Sequence, residues 1–156
     1  MYHESKSLSV LQDPEALYEK QKQDWQPIID WFCQRHSVEI QPSTSINSPT
    51  FSSNAREQIR RHLLSYNMNA IQGFTFGVDA IKSILLMSAI VDKRLTVNEA
   101  VDLSRLETKF QTEKWGNVEW HHDLELHDTS ARVAAAALFV QCHTSEHLIQ
   151  TKNVNQ

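Results

Sequence analysis

At 156 residues the chain is long enough for one domain with a core of its own. Three Gly and four Pro are too few for the many tight turns of a β-sandwich or barrel, so the composition leans helical. A formal net charge of −4 removes the electrostatic case for nucleic acid or an anionic membrane surface as partner.

Residues 1–12, MYHESKSLSVLQ, lack the apolar run of a secretory signal. They also lack Arg and contain Glu4, unlike a mitochondrial presequence, and are expected to be disordered or residual linker. The helical domain is expected over 13–149, with a frayed polar tail over 150–156. Asp13-Pro14 is a helix start, an N-cap acceptor followed by proline at the first helical position. Leu17, Tyr18, Gln21, Trp25, Ile28, Ile29 and Phe32 then recur at three and four, so a helix is predicted to about His36, kinked or broken at Pro27. Pro42 to Phe51 is a loop, and Asn54-Ala-Arg-Glu57 resembles a capping box opening a short amphipathic helix.

Ala70 to Val91 is apolar nearly all round, which predicts one central helix with neighbours on several sides. Gln72, Asp79 and Lys82 interrupt it and argue against a membrane span. Within it, Gly73 and Gly77 form a G-x-x-x-G. In a soluble helix this spacing lets a neighbouring backbone come close, against a helix penalty of about 1 kcal/mol per glycine. Thr96-Val-Asn-Glu99 is a second capping box, and the helix it opens is predicted to run to about Lys114, where Gly116 ends it. Asn117 can cap a last helix through Val140 to about Ile149. The reading is all-α, about five helices packed around a central apolar one.

Glu119-Trp-His-His122 holds a single E-x-x-H, where a di-iron carboxylate site needs two and further glutamates. His143 and His147 stand four apart without a C-x-x-C partner. Cys33 and Cys142 have no metal-ligand spacing and read as buried thiols of a reducing compartment. No metal, cofactor or catalytic residue is therefore assigned. Trp25 and Trp115 read as core anchors; Trp120, beside charged residues, fits core or binding surface equally. At about 100° per residue, Leu103, Leu106 and Phe110 form an inward stripe with Glu107 and Gln111 on its polar border. Glu107 can accept from a partner, or pair internally with Lys114, Arg132 or another base.

The run Leu95-Thr-Val-Asn-Glu-Ala-Val-Asp-Leu-Ser-Arg-Leu-Glu107, with Phe110-Gln111, Trp115-Gly-Asn-Val-Glu-Trp120 and His122-Asp123, closely resembles the family of ATP synthase F(1) complex assembly factor 2. Trp25-Gln-Pro-Ile-Ile-Asp-Trp-Phe32 and Ile81-Lys-Ser83 add to it, and the likeness covers about residues 14–145. The resemblance implies a non-enzymatic chaperone of the mitochondrial matrix. Such a chaperone binds the free alpha subunit of the synthase head and shields its beta-facing surface until the two assemble. It implies no cofactor, no membrane insertion and a monomer when free. The contact positions it implies are Arg105, Glu107, Gln111, Trp115, Gly116, Glu119 and Asp123. Family members also carry a β-rich N-terminal domain and, in eukaryotes, a presequence; both are expected to be missing from this chain. The readings left beside it are a helical metal-dependent enzyme using Glu119 and His122, and a helical adaptor for another partner.

Overall fold

The computed structural model describes residues 15–40, 52–116 and 120–144. Seven helices follow in order: α1 (Glu15–His36), α2 (Ser53–Leu64), α3 (Met68–Ile81), α4 (Ile84–Val91), α5 (Val97–Ser104), α6 (Leu106–Trp115) and α7 (His121–Thr144). The described residues contain no strand, so the all-α reading holds, with seven helices in place of five.

The two extra helices arise where one was expected to run on. The 70–91 run breaks at Lys82, which takes left-handed backbone angles (φ 60, ψ 21), and at Ser83, whose hydroxyl caps Leu86 N–H at 3.3 Å. The apolar pattern hides the break because apolar residues continue from α3, where Phe76 is exposed, into the buried α4. The run from Thr96 breaks at Arg105, whose N–H is shared between the carbonyls of Val101 and Asp102. The true N-cap of α2 is Ser52, accepting from Ala55 N–H at 3.1 Å, rather than Asn54. Helix α1 passes through Pro27 without ending. The ring is exposed, and the carbonyl it leaves without an amide belongs to exposed Gln23. Cys142 lies on the solvent side of α7, so the expectation of two buried thiols is corrected; Cys33 is half-buried.

Helix α4 is the central apolar helix, with contacts to α1, α3, α5 and α7. Leu85, Leu86, Met87 and Ala89 are fully buried in it, and burial of each of the larger three contributes about 1.5–3 kcal/mol. The most extensive pairing is α3 with α7. Gly73 and Gly77 face that pairing, and a Cβ added at Gly73 would stand 2.7 Å from Phe139 and 3.1 Å from Val140. At Gly77 it would meet Met87 and, at 3.0 Å, Ala136. The G-x-x-x-G is a close-approach surface, as read from the sequence. A smaller cluster of Ile29, Phe32, Val38, Ile40, Ala55 and Leu85 joins α1 to α2. Trp25 packs against both clusters, the anchoring role expected of it. None of the described helices is long and apolar enough to cross a membrane.

Candidate functional site

The capping box that opens α5 is present in full. Thr96 Oγ1 accepts from Glu99 N–H at 3.3 Å, and Glu99 Oε2 accepts from Thr96 N–H at 2.8 Å. The Thr96 backbone bond holds the Glu99 carboxyl below the usual carboxylate range. This fixed start sets the register in which Ala100, Val101 and Leu106 turn inward. Helix α6 then lies at the edge of the fold, with α1 and α5 as its main neighbours. Among the described side chains of α6 only Leu106, at its first turn, is buried, so α6 stands as a ridge between two clefts.

The first cleft, of about 290 Å³, holds Glu107 and Gln111 on one wall and Ile81, Lys82 and Ser83 on the other. Glu107 is half-buried and accepts from Gln111 Nε2 at 3.2 Å. Among the described residues this partner is one turn away on its own helix, and Arg132 pairs instead with Asp128 at 3.7 Å; the Lys114 side chain lies outside the described residues. Two sequence segments that carry the resemblance, Leu95–Glu107 and Ile81–Ser83, meet in this cleft. Periodicity alone does not bring them together, because the Lys82–Ser83 break that turns the wall toward α6 was hidden in an apolar run. The sequence signal for it was a serine able to cap, set inside that run.

The second cleft, of about 220 Å³, is lined by Asp102, Arg105, Lys109, His122, Asp123 and Leu126, with Thr108 shared with the first. Arg105 turns inward here. Its Nη2 donates to the His122 carbonyl at 2.9 Å and lies 3.3 Å from a Glu125 carboxylate oxygen, with the side chain only 15% exposed. Arg105 therefore clamps the α5–α6 junction onto the start of α7. Asp123 is exposed on the outer lip. Gly116 ends α6 with φ 91 in open space, a conformation that favours glycine. Trp120 is 71% exposed and has φ 69, which places it on the surface. The Trp115 side chain and all of Glu119 lie outside the described residues, as does His147. Of the seven positions, Glu107 and Gln111 share one cleft, Arg105 and Asp123 share the other, and Gly116 stands at the end of the ridge.

The same fold occurs in Atp12 of Paracoccus denitrificans, which superposes with a TM-score of 0.80 at 21% identity, over 86% of this chain and 57% of that one. In sequence, the chain is 27% identical over 134 residues to the mitochondrial protein atp12 of Schizosaccharomyces pombe. The chain is homologous to Atp12. The match to the S. pombe Atp12 takes in 84% of this chain and 46% of that protein, so the chain spans about half the length of the curated relative it matches. A structure from Agrobacterium tumefaciens described as a candidate chaperone shares the Atp12-like fold, with a TM-score of 0.76 at 24% identity, over 89% of this chain and 52% of that one. No family model matches the chain.

Proposed function

We propose that the chain acts as a non-enzymatic chaperone in assembly of the mitochondrial ATP synthase F(1) sector, working in the matrix on the free alpha subunit. The observation that carries this reading is the Atp12 homology joined to the first cleft, where two of the segments that carry the sequence resemblance converge on Glu107. An orphan subunit of an obligate hetero-oligomer exposes a large apolar interface and aggregates. A small helical partner covers such a surface reversibly when its own contact face mixes polar and aromatic groups, since release calls for modest affinity. The α6 ridge offers that mixture: the Glu107 carboxylate, the Gln111 amide and, beyond Gly116, the exposed indole of Trp120.

In this reading Glu107 accepts hydrogen bonds from the alpha subunit and transfers no proton. Gln111 holds the carboxylate in place, Arg105 and Gly116 fix the bend between α6 and α7, and Trp115, Glu119 and Asp123 complete the contact face. The test is co-purification. The chain is expected to retain free alpha and to lose it when beta is added. Glu107→Lys is expected to weaken retention about tenfold or more, while leaving the thermal midpoint unchanged because Glu107 is only half-buried and its described side-chain hydrogen bond is to Gln111 on the same helix. Equal retention of alpha by Glu107→Lys, or equal binding to the assembled alpha–beta hexamer, overturns the reading.

A further inference from the structure

The start of α7 gathers three metal-ligating groups that the assembly reading does not use. His121, His122 and Glu125 each offer a ligand atom, and these atoms lie within 4.8 Å of one another. Their spacing explains it: Glu125 is four residues beyond His121 and three beyond His122, so both rings lean on the carboxylate's side of the helix. The two rings stand edge to face with centroids 5.3 Å apart. His122 Nδ1 is shielded from solvent and has no hydrogen-bond partner among the described residues, so this ring has coordinating capacity that no described group satisfies.

We propose that this turn is a binding site for a divalent transition-metal ion of the zinc class, with His121, His122 and Glu125 as ligands. Two imidazoles and one carboxylate are a donor set suited to Zn²⁺, Ni²⁺ or Cu²⁺ and unsuited to Mg²⁺ or Ca²⁺, which prefer oxygen alone. Metal–nitrogen bonds of about 2.0–2.1 Å put tetrahedral ligands about 3.4 Å apart. The cluster reaches that spacing by rotation of side chains, because His121 and Glu125 are exposed. The amino end of a helix opposes a cation, and Arg105 faces the cluster through Glu125 Oε2. Against these stand Asp123 in the same turn, Asp102 across the cleft, and the second oxygen of Glu125, which is left for the ion. Three protein ligands leave the fourth position to water. A loaded site would tie the first turn of α7, through Glu125 and Arg105, to the α5–α6 junction. The proposal stands independently of the assembly reading.

The test is calorimetric titration of the metal-free whole chain with zinc near neutral pH. One ion per chain is expected. Affinity should fall about tenfold or more in His121→Ala and should be unchanged in His127→Ala, with Mg²⁺ giving no binding. His121 is exposed, so its variant folds and remains informative if His122→Ala does not. Absence of saturable zinc binding tighter than about 1 mM, or equal affinity in wild type and His121→Ala, overturns the proposal.

Discussion

The α3–α7 contact and the α6 ridge are built on opposite principles. Along α3 and α7, Ala70, Gly73, Phe74, Val133, Ala136 and Val140 are buried, and the two glycines remove the side chains that would keep the helices apart. Along α6 no described side chain after Leu106 is buried, and the neighbours of Glu107 and Arg105 are held by hydrogen bonds and an ion pair. The first region sets stability through volume; the second sets the direction of side chains at modest energetic return. In the proposed reading, the surface that binds and releases is carried by the part of the fold whose alteration least threatens the rest.

The sharpest test of that difference is Gly77→Val. Its methyl groups would enter space filled by the Met87 thioether and the Ala136 methyl, so a loss of about 3 kcal/mol is expected. A urea midpoint within error of wild type would show that the helix pair is not close-packed at this point. Arg105→Met is expected to lose about 1 kcal/mol. The donor to the His122 carbonyl and the pairing with Glu125 both go, but a buried Nη1 that has no partner goes with them. A loss as large as that of Gly77→Val would place the junction among the determinants of the core and erase the contrast.

The smallest effect concerns acid. His36 and His62 join α1 to α2 as rings 4.7 Å apart, and burial holds both imidazoles below the ordinary histidine value near 6.5. The His62 ring and Arg35 push the His36 value down further; Asp92 pulls both values up, and Arg35 again acts downward at His62. The unfolded chain therefore takes up protons first, so the stability these groups contribute is full above about pH 6.5 and falls as pH drops below it. Double replacement of the two rings by Phe should flatten the fall in midpoint between neutral and mildly acid pH. An unchanged slope would assign the acid sensitivity elsewhere.

Much of this architecture is legible in the residues. Thr96 and Glu99 announce α5 because a capping box is a local device whose partners lie within one turn. Gly73 and Gly77 announce a close neighbour because nothing else justifies two glycines in one helix. The breaks at Lys82 and Arg105 are not legible in periodicity. Apolar residues keep their three-to-four spacing across both bends, through Ile81 and Ile84 at one and Leu103 and Leu106 at the other, and Lys82 adopts left-handed angles that its own sequence does not favour. The site divides in the same way. Glu107 and Gln111 are predicted as a border pair by angular position alone, and they bond each other. The opposite wall, Ile81 to Ser83, is placed by tertiary packing, and the inward turn of Arg105 depends on a carbonyl seventeen residues away.

The pairing of α3 with α7 also governs when the fold can form. Three helices intervene between them, so their contact closes a long stretch of chain before it returns any burial. During synthesis Gly73, Phe74 and Gly77 leave the ribosome well ahead of Val133, Ala136 and Val140, and the central α4 lacks one of its four walls until α7 arrives. Until that last helix emerges, the nascent chain itself exposes an unfinished apolar surface.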